Sequence, residues 1–220
     1  MIARVDFPTL EWEKNLWGAG LRHLAGVDEA GRGALAGPVA AAAVILPANE
    51  MLPRALAGVR DSKQMSPAER TFWTPRIQAV CVAWGIGLAS VEEIDELGIV
   101  PATCLAAQRA LENLTTPPDI LLTDYLLLRD LNLPQIALVK GDQRCLSIAA
   151  ASILAKTYRD ALLSRLDQDY PGYGFARHKG YGTSAHRAAI RRLGLCPLHR
   201  RSFACLPAQG IANASPIQPP

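Results

Sequence analysis

Short aliphatic runs alternate with amphipathic stretches along this chain, and turn residues separate them. Leu24 to Glu29 is an apolar run that ends on two acids, which reads as a strand. Val39 to Leu46 is a second run. Its four alanines, Ala40 to Ala43, would also suit a helix, but its short length and the flanking Pro38 and Pro47 decide for a buried strand. Cys81 to Ala89, Ile120 to Asp124 and Gln135 to Val139 complete a set of five.

Helix signals fall between them. Ser66-Pro67-Ala68-Glu69 combines a cap, a first-turn proline and a capping-box glutamate, and predicts a helix to about Ala79. Ser90-Val91-Glu92-Glu93 repeats the box and opens a short helix that ends at Gly98. Pro101 to Leu114 places Leu105, Ala106, Ala110 and Leu114 near one face. Pro117-Pro118 stops it. Ser147 to Leu166 reads as a long helix and Thr183 to Leu193 as a basic one. The stretch before Leu21, with Trp12 and Trp17, reads as a short helix or an arm. Early strands joined by tight turns suit antiparallel pairing, and later strands reached through a helix suit parallel pairing. The expectation is an α/β fold with a mixed five-stranded sheet flanked by helices. An N-terminal arm (1–23), a catalytic domain (24–170), a C-terminal substrate-binding segment (171–207) and a disordered tail (208–220) are expected along the chain.

Composition narrows the class. The 220 residues are 50% hydrophobic and 20% charged, which suits a packed core and excludes bulk disorder. A net charge of +3 permits a polyanionic partner without requiring one. The basic residues are uneven, however: Arg177, Lys179, Arg187, Arg191, Arg192, Arg200 and Arg201 occur with no acid among them, as on a surface that follows a phosphate backbone. An odd number of cysteines, five, with no C-x-x-C pair, argues for reduced thiols in a cytoplasm rather than disulfides or a zinc site. MIARVDFPTL does not read as a secretory signal, and the longest apolar runs are too short to span a bilayer.

The acids carry the chemistry. Asp28 and Glu29 end the first strand, Asp124 ends the fourth, and Asp142 follows the fifth in Lys140-Gly141-Asp142. One aspartate at a strand end is ordinarily a turn residue or a cap. Three strand ends sharing the feature point to a common oxygen-rich site, since ligands of open α/β sheets gather at strand ends. Two divalent ions held roughly 4 Å apart by such carboxylates hydrolyse phosphodiesters. Adjacent strand residues point to opposite faces, so Asp28 and Glu29 share one site only if the strand ends or bulges there.

Other residue types suit a nucleic-acid substrate. Gly31-Arg32-Gly33 offers backbone amides and a guanidinium to a phosphate, and suits contact with a ribose 2′-hydroxyl. Ser62 and Lys63 can donate to a phosphate. Ser152 and Lys156 share a helix face. Tyr170, Tyr173 and Tyr181 lie among glycines and basic residues, where aromatics stack on sugars or bases, and His178 and His186 are candidate proton carriers.

Together these motifs resemble type 2 ribonuclease H (ribonuclease HII). The match runs in order from Gly26-Val27-Asp28-Glu29-Ala30-Gly31-Arg32-Gly33 with Gly37-Pro38, through Asp61-Ser62-Lys63, Asp124 and Lys140-Gly141-Asp142. It continues through Ser147 to Lys156 with Arg159-Asp160, and then Tyr170 to His186, so that it covers about Leu24 to Phe203. The resemblance implies a ribonuclease H-like fold with a small helical C-terminal part. It implies that Asp28, Glu29, Asp124 and Asp142 bind two Mg2+ or Mn2+ ions. It implies that Gly31, Arg32, Gly33 and Tyr173 read the ribonucleotide–deoxynucleotide junction, and that Ser62, Lys63, Ser152 and Lys156 hold the backbone. The implied activity is cleavage of RNA in RNA–DNA hybrids and 5′ of ribonucleotides embedded in duplex DNA, leaving 3′-hydroxyl and 5′-phosphate ends. A cytoplasmic monomer is expected; the sequence does not reveal a replication-clamp contact, although the tail has room for a short docking segment.

The chain departs from the family pattern at Tyr125, where glycine is usual, and at Gln64, where a second lysine is usual; Cys205 has no assigned role. A catalytically silent hybrid-binding protein would have lost an acid, and none is missing. A type 3 ribonuclease H would carry an N-terminal substrate-binding domain, for which the residues before Leu24 are too few. A transposase or integrase would not require the Gly31–Gly33 loop.

Overall fold

A computed structural model describes residues 7–203. The expected disordered tail and Cys205 lie outside the described residues. In chain order the elements are α1 (Glu11–Gly18), β1 (Leu24–Ala30), β2 (Val39–Ile45), α2 (Leu52–Ala55), a 3-10 turn (Ser62–Gln64), α3 (Pro67–Val80) and β3 (Ala83–Ala89). They continue as α4 (Val91–Leu97), α5 (Ile99–Glu112), β4 (Ile120–Asp124), β5 (Gln135–Leu138), α6 (Gly141–Arg144), α7 (Leu146–Asp169), α8 (Phe175–His178) and α9 (Ser184–Leu193).

The strands form one mixed sheet in the order β3-β2-β1-β4-β5. β1 pairs antiparallel with β2, with Asp28 opposite Ala42, and β2 pairs antiparallel with β3. β4 lies parallel to β1, and β5 parallel to β4 with Asp124 opposite Leu138. The fold is the expected one. Both capping boxes form, Ser66 with Glu69 and Ser90 with Glu93.

Side-chain size explains the layering. β2 is fully buried and built mostly of alanine, so helices approach it closely from both sides. α7 and α3 cover one face and α5 the other. At Gly26 a Cβ would come within 2.2 Å of the Ser147 carbonyl carbon, so only glycine lets the start of α7 lie against β1.

That start is also tied to the N-terminal arm. Glu13 on α1 is fully buried, and its Oε1 accepts from the Ser147 amide at 2.8 Å and the Cys145 thiol at 3.1 Å. Thr9 bonds both sides of the same corner, donating to Arg144 O and accepting from the Leu146 amide. A carboxylate at a helix N-terminus satisfies its open amides and opposes its dipole.

Candidate metal centre

The first strand delivers two acids to different faces. Asp28 falls on the α7 side with Ala30 and Ala42, and Glu29 on the α5 side with Val27 and Ala41. β1 continues regularly through both, so no bulge turns them together. β4 ends on Asp124. Lys140 then takes a left-handed backbone, φ 54°, and turns the chain into α6, which carries Asp142. The Gly141 amide donates to Asp124 Oδ1 at 2.8 Å and locks the two strand ends together.

Asp28, Asp124 and Asp142 each offer an oxygen within 4.8 Å of the others. Glu29 lies outside this trio and pairs with Arg32 at 3.1 Å. Asp28 Oδ2 and Glu29 Oε2 are buried without a hydrogen-bond partner, which is costly for a carboxylate unless a cation answers it. Burial, then the Glu29 and Asp124 charges, push Asp28 well above the usual carboxylate range. Burial also raises Glu29. Asp142 is pushed up to about 6 by burial and by Asp61 and Asp124. Hard oxygen donors, mutual repulsion and orphaned oxygens fit a divalent ion such as magnesium or manganese.

One cation already faces the trio. Lys63 Nζ lies 3.4 Å from Asp142 Oδ2. Burial works to lower its pKa, but the fields of Asp28, Asp142, Asp61 and Asp124 raise it. Asp61 is a further buried acid, and the sequence drew attention only to its neighbours Ser62 and Lys63. It caps the 3-10 turn through the Lys63 amide and accepts from Gln143 on α6.

Beside the acids runs a groove lined by Glu29, Gly31, Arg32, Gly33, Ser62, Lys63, Lys156 and Tyr181. Ser62 Oγ and Ser152 Oγ lie 2.7 Å apart under its floor. Lys156 is steered by Asp160 at 2.7 Å and lies 5.0 Å above the Tyr181 ring. The carbonyls of Gly31 and Arg32 accept from the buried Arg200 guanidinium at 2.8 Å each. Among the described residues no acceptor takes the amides of Arg32 and Gly33.

Tyr173 is not in this groove. Its ring stacks on Phe175, and its hydroxyl donates to Gly194 O at 2.9 Å, inside the C-terminal part. The aromatic that reaches the Gly31–Gly33 loop is Tyr181. Both tyrosines sit in glycine-flanked repeats, so sequence spacing did not separate them.

Tyr181 is anchored by a histidine relay. His186 Nδ1 lies 3.0 Å from Tyr181 O and so carries a proton. The Cys196 amide donates to His199 Nδ1 at 2.9 Å, which leaves the His199 proton on Nε2, donated across 3.1 Å to His186 Nε2. His178 stacks on His186 with centroids 4.1 Å apart. Burial pushes His186 down to about 4 and lowers His199 too, so the relay is neutral.

Comparison with known proteins gives a consistent result. The sequence model of the family described as Ribonuclease HII matches residues 25–206. The chain is 57% identical over 205 residues to a ribonuclease HII of Synechococcus sp. (strain JA-3-3Ab), covering 93% of this chain and 92% of that protein. Its fold matches the ribonuclease HII in a PCNA:RNase HII complex from Archaeoglobus fulgidus with a TM-score of 0.69 at 25% identity, over 86% of this chain and 98% of that one. It also matches Bst-RNase HIII solved in complex with Mn2+, with a TM-score of 0.63 at 19% identity, over 84% and 68% of the two chains.

Proposed function

The chain belongs to the ribonuclease HII family and is a ribonuclease H acting on RNA–DNA hybrids, and on that footing we propose that it also cuts 5′ of single ribonucleotides embedded in duplex DNA. The products are 3′-hydroxyl and 5′-phosphate ends. Asp28, Asp124 and Asp142, with Glu29 at their flank, hold the Mg2+ or Mn2+ on which the family depends. Bound there, the metal supplies Lewis acidity and a nucleophile at neutral pH.

The protein's own groups do the positioning. Asp28 and Asp142, fixed on β1 and α6, would hold the metal where the scissile phosphate arrives. Lys63, beside Asp142 and on the groove wall, meets the phosphate's charge. Ser62 and Lys156 line the approach of the backbone, and Ser152 backs Ser62. The unengaged amides of Arg32 and Gly33 meet a ribose 2′-hydroxyl, and Tyr181 rather than Tyr173 stacks on the next sugar. Reading sugar through backbone atoms predicts little base preference.

The single observation that carries this reading is the trio of aspartates, two buried and one half-buried, with an orphaned oxygen, at the edge of the Gly31–Gly33 and Tyr181 groove. The test is cleavage of a labelled DNA duplex carrying one ribonucleotide, with and without Mg2+. A single metal-dependent cut 5′ of that ribonucleotide supports the reading. Degradation of an RNA–DNA hybrid alone removes the junction role from the loop. The same reading extends to a monomer in the cytoplasm that starts ribonucleotide excision and meets the replication clamp; none of the described helices is long and apolar enough to cross a membrane.

A further inference from the structure

Next to the aspartates, at the β4–β5 edge of the sheet, is a rim that none of the roles above uses. Tyr125 follows Asp124 directly, and its amide donates to Leu138 O, which fixes it where β4 and β5 end. Its φ is 57°, a left-handed backbone that disfavours a side chain. It is also 77% exposed, so packing does not repay that strain. Strain of this kind held beside an active site marks a contact worth its cost.

The next residues repeat the exposure with a strand's period. Leu126 and Leu128 are buried in the α5 layer, while Tyr125, Leu127 and Arg129 face outward. Lys140, exposed and left-handed, adds a second cation two residues before Asp142. The side chains of Tyr125, Arg129 and Lys140 have no hydrogen-bond, ion-pair or ring partner among the described residues. An exposed aromatic that shares the β4–β5 edge with two unanswered cations can stack on a sugar or base while the cations meet phosphates along the strand.

We propose that Tyr125, Arg129 and Lys140 form a second nucleic-acid subsite, which grips the sugar–phosphate backbone of the substrate on the β5 side of the aspartates. This rests on the functional reading above, because the occupant is the same substrate. The subsite is continuous with the metal centre through Asp124 and Gly141, and its charge complements a polyanion. It lengthens the footprint beyond the Gly31–Gly33 groove.

The experiment compares the wild-type chain with Tyr125→Gly and Tyr125→Trp on the one-ribonucleotide duplex and on an RNA–DNA hybrid in Mg2+. Tyr125→Gly is expected to melt above wild type, since glycine occupies φ 57° freely, yet to raise KM on the order of tenfold, the loss of one stacking contact. Tyr125→Trp should keep KM near wild type. Replacing Arg129 and Lys140 with glutamine should flatten the dependence of log affinity on log salt by about two phosphate contacts. An active enzyme whose Tyr125→Gly variant keeps the wild-type KM overturns the subsite and leaves the functional reading standing. A wild-type chain that cuts neither substrate overturns the functional reading, and the subsite with it.

Discussion

Arg159 lies so close under Gly31 that a Cβ on the glycine would come within 2.0 Å of its Nε. The guanidinium cannot retreat. It is fully buried and donates to Pro38 O, Ala36 O and Lys179 O. Gly31 itself has a φ of 95°.

Gly31→Ala therefore combines a clash with backbone strain and should cost about 2–4 kcal/mol, read as a lowered urea midpoint. Gly33→Ala meets open space within 4 Å and should stay within about 0.5 kcal/mol of wild type while losing turnover on the one-ribonucleotide duplex. Equal destabilisation by the two would remove Arg159 as the cause.

Asp28→Asn and Asp142→Asn should each abolish cleavage and keep the fold. Each also removes one charge from a mutually repelling trio, so the metal-free variants should melt above the metal-free wild type. Adding Mg2+ or Mn2+ should raise the wild-type melting temperature and raise that of the variants less. Normal turnover by either variant would take that acid out of the metal site.

The histidine relay sets a pH dependence of stability. Unfolded His186 binds a proton below 6.5, whereas folded His186 resists until about 4. The stability linked to its neutral form is whole above pH 6.5 and is lost as the pH falls from there to about 4, up to about 3 kcal/mol. Urea titrations across that window should show a shallower slope for His186→Asn. Identical slopes would mean that His186 is not neutral in the native state.

Tyr181→Ala should raise KM on the one-ribonucleotide duplex and blur the cut position, while an all-RNA strand is still cleaved. Tyr173→Phe should lose only its bond to Gly194 O, about 1 kcal/mol of stability, and keep its cleavage site. The reverse pattern would return the junction role to Tyr173.

Much of this was legible in the sequence because it is local. The five strands, both capping boxes and the acids at strand ends follow from patterns a few residues long. α2, α6, α8 and the 3-10 turn span only three or four residues and carry no period, so none was foreseen. The different faces of Asp28 and Glu29 follow from strand alternation, but the regular run of β1 through both does not. What the chain hid is long-range: Glu13 reaching Ser147, Asp61 reaching Gln143, and Tyr181 rather than Tyr173 lining the groove. Each depends on which segments meet, and no spacing encodes that.

Arg200 gives the loop at Gly31 and Arg32 its shape, and it does so across 169 and 168 residues of chain. During synthesis the loop is made well before the arginine that holds it. A ribosome-bound chain therefore has its strand-end acids long before it can shape the loop that selects a target. Selectivity is completed late, and a product truncated before Arg200 would carry the acids without the frame that aims them.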